Sequence, residues 1–165
     1  MKVTEEQNKY FAEIADDIVN HVEYQKLKNF THHLCMTRYE HCMHVAYRAY
    51  LKALKSKKQL DLRSLIRGAL LHDFYFYQRE EAPKMHLQSH PMLSVNNAKE
   101  YFELNELEID IMKSHMWPVN STMPKYKESR IVNKADKVSS MTEVVKIKKK
   151  FLAELRIFLD VYQLA

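Results

Sequence analysis

Glycine is almost missing from this chain: Gly68 is the single one among 165 residues, and proline occurs four times. Sheet proteins draw on both at their turns, glycine for positive φ and proline for a preset backbone angle. Their scarcity excludes a turn-rich sandwich or barrel and points to an all-α fold. Long apolar runs are also missing. No stretch approaches the roughly 20 residues that span a bilayer, so no membrane partner is expected. Cysteine is limited to Cys35 and Cys42, which make no disulfide framework. Residues 1–20 are amphipathic and acidic, unlike a targeting segment, and a reducing, cytoplasmic setting is expected. Lysine and arginine number 26 against 21 acids, a formal charge of +5. That balance suits an anionic small molecule and does not by itself imply nucleic acid.

The length fits one domain over residues 1–165, with no repeat, linker or low-complexity segment. Helical periodicity is clear in several places. Tyr10, Ile14, Ile18 and Val22 recur through residues 5–22. Thr37 caps a helix reaching residue 55, with His41, Val45, Ala49 and Leu51 inward. Asp61 caps a third helix whose stripe of Leu62, Leu65, Ile66, Ala69 and Leu70 ends at His72-Asp73. Residues 74–88 read as irregular, and Ser89 or His90 starts the next helix with Pro91 in its first turn. Asn105 and Glu108 have capping-box spacing and open a short helix to His115. After a loop at 116–127, helices are expected at 128–138 and 143–162. The sum is a bundle of about six to eight helices, with a homodimer left open.

Chemistry concentrates around His72-Asp73. Burying either group unpaired costs roughly 2–7 kcal/mol, and a carboxylate at a helix C-terminus faces the negative end of the dipole. By itself the pair reads equally as a core histidine beside a capping aspartate or as metal ligands. His41 lies on the apolar stripe of its helix, where a lone histidine is commonly a satisfied core residue. His44 shares that face and reads as a boundary residue. His90 stands at a helix start, and His86 is the weaker ligand candidate because Pro91 marks that start. His115 closes an apolar series, and Asp136 sits inside a helix beside Lys134 and Lys137, where the plainer reading is a solvent-facing acid. Taken together, His41, His72, Asp73, His90, His115 and Asp136 match the needs of two divalent transition metals (Fe, Mn, Co, Ni or Zn). Imidazole and carboxylate suit those ions, and open positions remain for water and substrate.

Three strings carry a resemblance: Arg38-Tyr39-Glu40-His41-x-x-x-Val45-Ala46, Ala69-Leu70-Leu71-His72-Asp73 and Ala135-Asp136-Lys137. They resemble the HD superfamily of metal-dependent phosphohydrolases, over a core at residues 37–142. His90-Pro91 and Ser114-His115 look like the extra ligands of its dinuclear branches, and the chain is most similar to the bacterial diadenosine tetraphosphate hydrolases. The resemblance implies that His41, His72, Asp73 and Asp136 hold one metal. His90 and His115 hold the second, with Asp73 bridging, and Asp73, His72 and Asp136 carry the catalysis. The implied reaction is hydrolysis of a phosphoester or phosphoanhydride, on a nucleotide-like phosphorylated small molecule, by metal-activated water. Cationic candidates for the phosphates are Arg79, Lys84, Arg130 and Lys137, with Lys125 considered beside them. Tyr75, Tyr77 and Trp117 either stack on a base or complete the core. Departing from the family, Phe74-Tyr75-Phe76-Tyr77 follows the HD pair where a glycine or lysine is common. The alternatives are a mononuclear HD nucleotidase, a diiron HD-type oxygenase, or a non-catalytic binding module using Lys146, Lys148, Lys149 and Lys150.

Overall fold

A computed structural model describes residues 3–32, 36–144, 155, 156, 158, 160 and 161, and the side chains of Arg79, Glu143 and Val144 lie outside that description. Among the described residues the fold is all-α. Its helices are α1 (Glu5–Val19), α2 (Val22–Gln25), α3 (Arg38–Leu54), α4 (Leu62–Leu71), α5 (His86–Lys99), α6 (Glu106–Ser114) and α7 (Lys127–Val144). A two-stranded antiparallel ribbon, β1 (Thr31–His32) with β2 (Met36–Thr37), precedes α3. No helix among the described residues is long and apolar enough to cross a membrane.

The caps read from the sequence form. Glu40 N–H donates to the Thr37 hydroxyl at 3.1 Å, and Thr37 N–H donates back to the Glu40 carboxylate at 2.9 Å. Ser64 N–H donates to Asp61 at 2.9 Å, and Asn105 with Glu108 closes a full capping box at α6. α4 packs against α1, α3 and α6, while α7 packs on α3 and α6. The single glycine serves this arrangement. A Cβ on Gly68 would lie 3.0 Å from three side-chain atoms of Ile111, so its absence lets α4 approach α6 closely.

Four expectations need correction. α1 buries Phe11, Ala15, Ile18 and Val19, whereas Tyr10 and Val22 are exposed. A strict four-residue repeat drifts around the helix, and the true stripe follows mixed three- and four-residue steps. The helix also stops at Val19, and His21 caps the separate α2. α5 begins at His86, not at residue 89 or 90, so Pro91 lies inside it. Its N-cap, Met85, takes a left-handed φ of 65° and supplies no side-chain bond, which is why no capping signal marks the start. α7 is continuous through residue 138 to Val144. Cys35 and the lysine run at residues 146–150 fall outside the described residues, as does most of the segment expected to be the last helix.

Candidate metal centre

Five helices deliver the candidate ligands to one place. His41 projects from the first turns of α3, and His72 is the C-cap of α4, with Asp73 just beyond it. His90 comes from α5, His115 is the C-cap of α6, and Asp136 lies mid-way along α7. All six are buried, none more than 7% exposed. The plainer reading of Asp136 as a solvated acid is therefore overturned: its position faces α3, not water.

The Asp73 carboxylate divides the cluster. Its Oδ2 lies 3.6 Å from His72 Nε2 and 3.8 Å from His41 Nε2. Its Oδ1 lies 3.2 Å from His90 Nε2 and 3.4 Å from His115 Nε2. Asp136 Oδ1 joins the Oδ2 side, 3.2 Å from His41 Nε2 and 3.9 Å from His72 Nε2. Two donors each about 2.1 Å from a shared ion stand about 3.0 Å apart at a right angle and about 3.4 Å apart at a tetrahedral one. The observed separations run from 3.2 to 3.9 Å, three of the six within that range and three wider, as for donors set at a more obtuse angle about a shared ion. Triads His41–His72–Asp136 and His72–Asp73–His115 each present ligand atoms within 4.8 Å of one another.

Backbone carbonyls set the imidazole tautomers. His72 Nδ1 bonds the Ala69 carbonyl at 2.7 Å, His90 Nδ1 that of His86 at 2.8 Å, and His115 Nδ1 that of Met112 at 2.7 Å. An Nδ1–H that donates outward leaves the Nε2 lone pair aimed into the cluster, the arrangement of metal-ligating histidines. His90 Nε2 and His115 Nε2 then meet at 2.8 Å. Two lone pairs at that distance repel unless a proton or a cation lies between them. His72 Nε2 and Asp73 Oδ1 are buried and make no hydrogen bond, an expensive state that a bound cation relieves. The donor set and these orphaned atoms fit divalent metal.

Electrostatics agree. Burial pulls the His72 pKa down to about 4, leaving the ring neutral and able to ligate. Burial alone would raise Asp73, but the surrounding imidazoles, His72 first and then His90 and His115, outweigh that and hold it well below the usual carboxylate range. Asp136 is likewise opposed by burial, and the His41 hydrogen bond with the neighbouring imidazoles brings it down to about 2.

The cluster floors a cleft of about 560 Å³. One wall comes from the segment after the HD pair, in which side chains alternate. Phe74 joins the core and packs edge-on against Phe76 at 4.9 Å, while Tyr75 and Tyr77 line the cleft with ring centroids 4.7 Å apart. The buried Arg38 fixes this wall. Its Nη1 and Nη2 donate to the Tyr75 and Tyr77 carbonyls at 2.8 and 3.0 Å, and its guanidinium lies 3.7 Å from the Tyr75 ring centroid. Arg38 also lines the cleft, a role its sequence position in the first string did not disclose.

Of the proposed cations, Lys137 lines the cleft and donates to the Trp117 carbonyl and to Asn133. Lys84, Lys125 and Arg130 are exposed and outside its described lining, each projecting from a solvent-facing turn or helix edge. Trp117 is also outside it. His44 is buried away from the cluster and pairs with Arg48 at 2.9 Å. His86, brought in by the early start of α5, stacks on His90 at 4.7 Å and bonds the Tyr77 hydroxyl at 2.7 Å. His32 on β1 is a further member that periodicity could not reveal. A two-residue strand has no pattern, and the one signal was the tandem His32-His33 just ahead of the first string.

Among known proteins, the HD domain family model matches residues 38–141, well over half of the chain and a span that includes all six candidate ligand positions. No curated protein and no solved structure is similar enough to this chain to be matched. HD domains bind divalent metals and are generally metal-dependent phosphohydrolases, in keeping with the His/Asp groups described above. On the match and on the geometry that it covers, the chain belongs to the HD domain family.

Proposed function

We propose that this protein is a dinuclear HD phosphohydrolase that cleaves a phosphoester or phosphoanhydride of a nucleotide-like small molecule. The observation that carries the reading is the two-sided Asp73 carboxylate, Oδ2 toward His41 and His72 and Oδ1 toward His90 and His115. A carboxylate so flanked suits a bridge between two ions, with His41, His72 and Asp136 completing one ligand set and His90 and His115 the other. Bound divalent ions supply the Lewis acidity that makes water nucleophilic near neutral pH and offsets charge on the phosphoryl oxygens. The chain's own residues do the rest. Backbone carbonyls hold the His72, His90 and His115 imidazoles in their ligating tautomer, and Asp73 and Asp136 carry the negative charge that retains cations in a buried place.

The cleft favours a nucleotide-like substrate on three counts. Its volume lies in the range of small-molecule sites. Tyr75 and Tyr77 offer aromatic surface with Leu87 and Met116 alongside, enough to receive a base. Arg38 and Lys137 place positive charge in the same lining, suited to phosphates away from the reacting centre. The test is a turnover screen of the Mn-, Fe-, Co- and Ni-loaded protein with nucleoside monophosphates, dinucleoside polyphosphates and cyclic dinucleotides. Release of phosphate or nucleotide from at least one of these, abolished by Asp73→Ala, is the expected result. Oxygen consumption with polyols or phosphonates, and no hydrolysis, would replace the reading with oxygenase chemistry.

A further inference from the structure

We infer that His32, carried on the ribbon outside the helical bundle, is a seventh protein ligand, to the ion on the Oδ2 side of Asp73. The inference rests on the dinuclear reading above and deepens it. His32 Nε2 lies 3.7 Å from Asp73 Oδ2, level with His72 at 3.6 Å and His41 at 3.8 Å. That separation exceeds an N–H···O hydrogen bond and falls among the values of the other candidate ligand pairs. His32, His41 and Asp73 also form a triad whose ligand atoms all lie within 4.8 Å of one another.

The ring is held in that pose. It stacks on His41 with centroids 3.8 Å apart and planes 24° from parallel. The backbone under it is fixed by pairing of His32 with Met36 across the ribbon and by Arg38 N–H donating to the Phe30 carbonyl at 2.8 Å. Gln78 ties the ribbon to the aromatic wall, accepting from Thr31 N–H at 3.2 Å and donating to the Asn29 carbonyl at 2.9 Å. The His32 side chain is 14% exposed, against 1% for His41 and none for His72, so it sits between that side of the cluster and solvent.

The consequence is an asymmetric centre. His32, His41, His72, Asp73 and Asp136 give the Oδ2 side five protein donors, which leaves little room for exogenous ligands on a six-coordinate ion. His90, His115 and Asp73 give the other side three. The Oδ2-side ion is then the firmly held one, and the Oδ1 side keeps the open positions that substrate and water need.

The experiment is Co(II) titration of the metal-free full chain, followed by chelator competition and visible absorption, for wild type, His32→Gln and His32→Gly. Losing an outer-shell partner alone weakens metal binding about 10–100-fold, so losing a direct ligand is expected to weaken one of two sites at least about tenfold while the other keeps its affinity. The ligand-field spectrum of the weakened site should change, and millimolar imidazole should restore it in His32→Gly. Melting temperature and circular dichroism of the metal-free variants verify that each is folded. Wild type binding two ions, with His32→Gln unchanged in both affinity and spectrum, would overturn the role of His32 and leave the dinuclear reading standing. Wild type binding no Co(II) would overturn both.

Discussion

The ion pair between α4 and α6 gives a prediction whose size follows from burial. Arg67 Nε donates to Glu108 Oε1 at 2.8 Å, and the two residues are 6% and 3% exposed. Arg67 also bonds Asp17, whose side chain is 56% exposed, and the Glu103 carbonyl at 3.3 Å. Burial works against the guanidinium charge, but Asp17 and Glu108 outweigh it and raise the Arg67 pKa. Arg67→Leu would leave the Glu108 carboxylate buried with the Asn105 N–H, at 2.9 Å, as its remaining donor. Removing one partner of a buried pair costs about 3–5 kcal/mol. A protein of this size loses about 2–4 °C in melting temperature per kcal/mol, so the fall should be about 6–20 °C. Adding Glu108→Gln removes the stranded charge and keeps an oxygen for the Asn105 cap, and more than half the loss should return. His72 and His115 cap the same two helices, so metal affinity should weaken in the single variant and recover in the double. Differential scanning calorimetry of the metal-free protein reads the first effect and chelator competition the second. A fall below about 2 °C, or a double variant no better than the single, would refute the reasoning.

Asp73→Asn conserves volume but offers one carbonyl oxygen and one amide donor to two ligand sets. Metal content should drop to one ion or fewer per chain while circular dichroism is unchanged, and retention of both ions would show that Asp73 bridges nothing. Stability of the metal-free protein should fall on acidification. Burial lowers the folded His72 pKa from 6.5 to about 4, so below 6.5 the unfolded chain takes up a proton that the folded one resists. The stability present above pH 6.5 is lost toward pH 4, about 3 kcal/mol in all. His115 runs the other way: burial lowers its pKa, but the adjacent Asp73 outweighs that and raises it, so its contribution is fully present below pH 6.5 and is lost only as pH rises through its folded pKa, above this window. Asp136, brought down to about 2, extends the loss below pH 3.8. Urea midpoints that stay level between pH 7 and pH 4 would contradict this.

Much of the fold was legible because its signals are local. Thr37, Asp61 and Asn105 each cap the helix their sequence announces, since a short polar side chain before an apolar stripe has few other uses. The HD pair was legible for the same reason: α4 has one buried stripe, and its end is where His72 and Asp73 must be. What escaped had no local mark. α5 starts behind Met85 with no side-chain cap, so Pro91 drew the boundary to itself and His86 was set aside. His32 reaches the cluster from a strand too short for any period, held by long-range bonds from Gln78 and by stacking on His41. Tyr75 and Tyr77 were open to a stacking or a core role, and the run at 74–77 divides between the two. An extended segment sends alternate side chains to opposite sides, so Phe74 enters the core while Tyr75 and Tyr77 face the cleft.

The central claim is that Asp73 holds two ions together. Elemental analysis of the full chain, purified without chelators and resupplied with Mn or Fe, tests it most directly. The account predicts two ions per chain in wild type, falling to at most one in both Asp73→Asn and His115→Ala. One tightly bound ion per chain in wild type, unchanged by His115→Ala, would contradict it.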